Sequence, residues 1–193
     1  MKILHVTDIH FKRFVFDSIS EQQNRYDAIC VTGDFLDETN DVAIDAQIDD
    51  VRAWILSFKT PIFVCSGNHD LIDGSCDWLA DLPRSDGSMT TLNNIVIGCA
   101  PEDCEDFYRY RDCNILLHHY PPANSQTAID QTGRNYGSAT LKSDMRLLNC
   151  QYILCGHVHR PIARARRNQN IIIYNAGGNH RNDRVRYIAF DIN

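Results

Sequence analysis

Eight short, nearly unbroken apolar runs, at residues 3–6, 28–32, 61–65, 94–99, 114–117, 152–155, 170–174 and 185–192, leave this chain few folds to choose from. Each has the length of a strand, and the lack of alternation suits strands covered on both faces. Between them, residues 42–58 place Ile44, Ile48, Val51, Ile55 and Phe58 at helical spacing, with Asp41, Asp45, Asp49 and Asp50 off that stripe. That is an amphipathic helix lying on a sheet. Weaker helical patterns cover 17–26, 75–82 and 138–148, the last opened by Ser138 as an N-cap. Residues 160–174 and 184–191 read as a terminal antiparallel run turning through Gly177 and Gly178. The expected fold is α/β, with alternating elements first and mostly strands afterwards. At 193 residues, with no linker-like or repetitive tract, a single domain over 1–193 is expected.

No window holds the 18 or so uninterrupted apolar residues of a membrane-spanning helix, and the chain enters a strand-like run at once, from Lys2 to Val6. A cytoplasmic protein without a secretory leader or membrane contact is expected. The eight cysteines form no Cys-x-x-Cys pair, and several sit inside apolar runs, as Cys30, Cys65 and Cys155 do. They read as reduced, buried thiols rather than a disulfide framework.

Polar residues follow the strands in a repeated way. The first run ends in Thr7-Asp8-Ile9-His10, the second in Gly33-Asp34-Phe35-Leu36-Asp37, and the third in Gly67-Asn68-His69-Asp70. The run at 114–117 ends in His118-His119-Tyr120, and the run at 152–155 in Gly156-His157-Val158-His159. In open α/β sheets the carboxyl ends of the strands border the ligand crevice, so these segments converge. Carboxylate, carboxamide and imidazole together suit Mn²⁺, Fe or Zn²⁺ better than Ca²⁺ or Mg²⁺ alone. A serine or cysteine nucleophile is disfavoured, since no Gly-x-Ser-x-Gly elbow occurs and the thiols precede the motifs. There is no phosphate-cradling loop of the Walker or dinucleotide type.

These five motifs, in this order and across nearly the whole chain, resemble those of the calcineurin-like metallophosphoesterases. The resemblance implies a four-layer αββα sandwich and hydrolysis of a phosphate monoester or diester by a water activated between two divalent metals. It implies one metal on Asp8, His10, Asp34 and His159 and another on Asp34, Asn68, His118 and His157, with manganese favoured over iron, zinc or nickel. The first histidine of the pair, His118, is the ligand so implied, leaving His119 to touch substrate beside Asn68 and His69. His69 is placed to contact a phosphoryl oxygen or protonate the leaving alcohol, with Asp70 fixing its tautomer. Asp37 lies beside the ligands or in solvent. Asn175-Ala176-Gly177-Gly178 is similar to a structural turn of small family members, and His180 lies just beyond it. His5 alternates away from the motif and is expected to pack.

The net charge of −6 hides an asymmetry: residues 156–193 carry +5 and residues 1–155 carry −11. The excess comes from arginines 160, 164, 166, 167, 181, 184 and 186. A basic strip of this kind keeps a nucleic-acid substrate open, although a compact phosphate ester is favoured. A non-catalytic scaffold of the same fold is the third reading, and the complete ligand set argues against it.

Overall fold

The computed structural model describes residues 1–179 and 184–192. Its strands, in chain order, are β1 (Lys2–Val6), β2 (Ala28–Thr32), β3 (Ile62–Cys65), β4 (Met89–Leu92), β5 (Ile95–Cys99), β6 (Ile115–Leu117), β7 (Tyr152–Cys155), β8 (Ala165–Asn168), β9 (Ile171–Asn175) and β10 (Ile188–Asp191). The helices are α1 (Arg13–Gln22), α2 (Ile44–Leu56), α3 (Asp77–Ala80) and α4 (Ala139–Asp144).

Two sheets result. One has the order β10-β1-β2-β3, and the other β4-β5-β6-β7-β9-β8. Strands β1, β2 and β3 run parallel, as do β5, β6, β7 and β9, so all five motif-bearing strands end along the same edges. Successive residues of each strand face different cores. On the first sheet Leu4, Ile29, Val31 and Val64 pack with Val15, Phe16 and Ile19 of α1 and with Val51 and Ile55 of α2. The opposite face, with Ile3, Cys30, Phe63 and Cys65, meets Ile97, Cys99, Ile115, Leu117 and Leu154 of the second sheet. The outer face of that sheet, with Leu116, Ile153 and Ile173, is covered by Leu141 of α4 and by Phe107, Tyr110 and Met145. Three apolar layers separated by two sheets make the expected αββα sandwich, and burial on both faces explains the absence of alternation.

Helix α2 sits within the span its periodicity marks, and Trp54 Nε1 ties it to α1 by donating to Ser20 Oγ at 2.9 Å. The terminal strand corrects the sequence reading. β10 does not pair with β9; it crosses to the other sheet and lies antiparallel to β1, covering what is otherwise an open edge. The antiparallel partner of β9 is β8, and its parallel partner is β7. All eight cysteines are free, and seven are buried. Among the described residues no helix is long and apolar enough to cross a membrane.

Candidate metal centre

The ends of β1, β2, β3, β6 and β7 bend sharply to present their polar residues. Asp8, His10, Asp34 and His157 hold φ of 52°, 47°, 57° and 63°, a left-handed conformation that side chains other than glycine rarely adopt. Strain repeated at four neighbouring polar residues marks a site held in place by its surroundings. Glycine is required where these turns touch. A Cβ on Gly33 would come 2.6 Å from Gly67 N, and one on Gly156 would overlap Thr7 Oγ1.

The side chains form two groups that share Asp34. Asp8, His10, Asp34 and His159 offer atoms all within 4.8 Å of one another, and Asp34, His119 and His157 do the same. Within the first group, His159 Nε2 lies 3.0 Å from Asp8 Oδ1, and His10 Nε2 lies 3.7 Å from Asp34 Oδ2 and 3.4 Å from His159 Nε2. In the second, His119 Nε2 is 3.3 Å from Asp34 Oδ2, and Asn68 Oδ1 sits 3.2 Å from His119 Nε2 and 3.0 Å from His157 Nδ1.

These donors fit cations better than one another. Asp8 Oδ2 accepts from Thr7 Oγ1 at 2.7 Å and from the His157 N–H at 3.1 Å. Its Oδ1 is buried without a hydrogen-bond donor, despite the nearby imidazole. The carbonyl of Thr32 can only accept, so the Nδ1 of His119, 2.8 Å away, carries a proton. A neutral His119 therefore turns the lone pair of Nε2 towards a carboxylate and an amide oxygen. Acceptors crowded on acceptors repel unless a cation or a proton lies between them. Burial opposes charge on Asp34, yet His119 and His10 hold its carboxyl below the usual carboxylate range. Burial likewise opposes charge on His119, but the field of Asp34 and Asp8 raises it to about 10. Burial, followed by the neighbouring His119, lowers His157 to about 4.

Two sequence expectations change here. His118 does not reach Asp34. It is buried with its ring edge-on to Phe107 at 4.8 Å, and His119 occupies the place expected for it. The reason is strand geometry: successive residues leave β6 on opposite sides, and only the second points towards β2 and Asp34. Asp70 is committed to backbone amides and not to the ring of His69. Its buried carboxylate accepts the backbone N–H groups of Gly67, Asp34 and Phe35 at 2.8 Å and of Leu36 at 3.1 Å. It thereby clamps together the two turns that carry Asp34 and Asn68.

His69 is half-exposed, with its ring edge-on to His10 at 5.0 Å and its backbone N–H donating to Asp34 Oδ1 at 3.0 Å. Asp37 is half-buried and turned back on Thr39. His5 packs between the sheets, 3.0 Å from Thr32 Oγ1. His180 lies outside the described residues. Two asparagines fix the centre from behind: Asn175, in the turn that the sequence marks as structural, and Asn179, which the sequence does not single out. Asn175 Nδ2 donates to the carbonyls of Gly156 and Val158, and Asn179 Nδ2 donates to the carbonyl of Thr7. The only signal for Asn179 is polarity just beyond that turn.

Comparison with known proteins agrees with this geometry. The sequence matches the model of the calcineurin-like phosphoesterases over residues 1–161. No curated protein sequence matches the chain. Its fold is similar to that of a Thermus thermophilus protein at 12% identity, with a TM-score of 0.66 over 92% of this chain and 89% of that one. It is similar to Yfce, a phosphoesterase from E. coli, at 18% identity, with a TM-score of 0.54 over 99% of this chain and 88% of that one. It is also similar to an archaeal phosphodiesterase at 14% identity, with a TM-score of 0.51 over 98% of this chain and 100% of that one. At such identities the likeness speaks for the fold alone, and the motif-bearing match over residues 1–161 carries the assignment: the chain belongs to the calcineurin-like phosphoesterase family.

Proposed function

We propose that the chain is a phosphoric ester hydrolase whose catalytic domain spans residues 1–193 and which works with two divalent cations, manganese foremost. Asp8, His10, Asp34 and His159 would hold one, and Asp34, Asn68, His119 and His157 the other. The observation that carries this reading is the sharing of Asp34 between two groups of ligand atoms, each gathered within 4.8 Å. Bound there, the cation pair supplies Lewis-acid charge for the phosphoryl oxygens and lowers the pKa of a water.

The protein's own groups then divide the remaining work. Asn68 and His119 fix the inner side of the phosphoryl position, while His69, half-exposed and anchored through its backbone to Asp34, faces the ester. A ring nitrogen of His69 contacts a phosphoryl oxygen or delivers a proton to the departing alcohol oxygen, a role worth roughly 10² to 10⁴ in rate. Asp70 acts at one remove by holding the turns on which Asp34 and Asn68 ride. Free thiols throughout the core suit a reducing cytosol.

The test is metal analysis beside hydrolysis of bis-p-nitrophenyl phosphate and p-nitrophenyl phosphate. Chelation is expected to abolish turnover, Mn²⁺ to restore it, and Asp34→Ala to do the most damage. Protein that retains no metal after incubation with excess Mn²⁺ would overturn the proposal.

A further inference from the structure

Next to the metal ligands lies a separate cavity of about 320 Å³, whose lining includes Glu102, Asp103, His118, Tyr120, Tyr136 and Ser138. Two tyrosines connect it to the centre. The ring of Tyr120 stands 4.4 Å from that of His157, and the ring of Tyr136 stands 6.1 Å from it. The Tyr120 hydroxyl points away from the ligands and donates to Glu102 Oε1 at 2.7 Å. Neither lysine nor arginine is among the described residues lining the cavity. The negative field reaches further. Asp86 is pushed up to about 6 by its burial and, more weakly, by Asp103 and Glu102, against hydrogen bonds from Ser66. His118, 1% exposed, forms part of the cavity's floor and brings no positive charge to it, since its burial favours the neutral ring.

We infer that this cavity receives one organic arm of the substrate ester, an alcohol carrying a positively charged ammonium group, between the tyrosine rings and the Glu102 and Asp103 carboxylates. The inference rests on the phosphoesterase reading above and adds the class of ester. Carboxylates without a cation of their own favour a positive guest, and aromatic walls hold an ammonium by cation–π attraction while tolerating its methyl groups. An anionic or bulky neutral arm gains neither. The reaction itself is unchanged. Water oxygen bonds to phosphorus, the phosphorus–oxygen bond to the leaving group breaks, and a proton goes to the departing oxygen.

Two esters that differ only in charge test this: p-nitrophenyl phosphorylcholine and p-nitrophenyl 3,3-dimethylbutyl phosphate. The expected result is a kcat/KM ratio of about fivefold in favour of the charged ester, the order of a cation–π contact at a site open to solvent. The ratio falls towards one in Glu102→Gln/Asp103→Asn and, as a second variant, in Tyr136→Leu. A ratio near one in the wild type, or one that survives in both variants, overturns the inference. A second readout needs neither metal nor turnover. Choline titrated into the metal-free protein is expected to shift the amide resonances of Tyr120 and Tyr136 saturably, and 3,3-dimethylbutanol is not. Choline binding without hydrolysis of either ester would sink the phosphoesterase reading and leave the cavity assignment standing. Equal hydrolysis of both esters without choline binding would do the reverse. Glycerophosphocholine and phosphatidylcholine vesicles, offered separately, assign the ammonium ester to a soluble or a lipid source.

Discussion

At Asp34 a proton and a cation compete for the same place. Without a cation, the carboxylates keep His119 protonated well above neutrality, and a ligand imidazole must give that proton up. Loading with Mn²⁺ near neutral pH is therefore expected to release about one proton from His119, read as a dependence of calorimetric heat on the buffer's ionisation enthalpy. Loading without proton release would remove His119 from the ligand set. The neighbour behaves differently, because burial and the charge of His119 push His118 down to about 3, and its ring packs on Phe107. His119→Ala should lose bound metal, whereas His118→Ala should keep it and lower unfolding stability by about 2 kcal/mol. The opposite pattern would restore His118 as the ligand. His5 shows a related effect away from the ligands. Burial lowers it from 6.5 to about 3, so the folded protein holds it neutral. The unfolded chain alone takes up the proton below 6.5, and stability falls as pH drops from there towards 3. His5→Gln should spare about 1 kcal/mol of the stability otherwise lost between about pH 7 and 5.5, as read by urea unfolding.

At the scale of elements, precision comes from how strand ends are tied together. The Asp70 carboxylate gathers four N–H groups from the turns after β2 and β3. An asparagine there offers one oxygen and sets an amide N–H₂ against backbone donors. Asp70→Asn is expected to cost about 3 kcal/mol in urea unfolding and to weaken metal retention through the displaced turns. Wild-type stability with reduced turnover alone would return Asp70 to the ring of His69. The strands beneath these turns were readable from the sequence because both faces are buried, which writes continuous apolar runs. β4 (Met89–Leu92) was not, since it is an edge strand of the second sheet and carries polar residues, and β8 (Ala165–Asn168), the other edge, was legible only as part of the longer stretch 160–174. The motifs likewise identified which strand ends converge. They could not separate His118 from His119, because that choice depends on which side of β6 faces Asp34. Nor could they expose the Asp70 clamp, whose partners are backbone amides with no side-chain signature.

For the molecule as a whole, the crossing of β10 to β1 decides what the arginine-rich tail can do. With that crossing, the last described segment passes beside the metal centre instead of extending the second sheet. Arg164 Nη2 donates to the Tyr187 carbonyl at 2.8 Å, and Arg186 Nη1 donates to the His159 carbonyl at 3.3 Å. These two arginines fasten the tail to the segment that enters β8 and to a ligand-bearing turn, which commits part of the positive charge to the fold. Arg166 and Arg167 are exposed on β8, but neighbouring strand residues face opposite sides, so one flat ligand cannot meet both. The acidic remainder, −11 over residues 1–155, repels a long polyanion beyond that strip. Each phosphate neutralised on DNA adds about 0.7 to 0.9 to the slope of log K against log salt. The expected outcome is weak DNA binding with a slope of about 2 or less, little altered in Arg166→Ala/Arg167→Ala. Submicromolar binding, with a steep slope that the double variant flattens, would instead make a nucleic-acid backbone the polyanion this strip was built to follow.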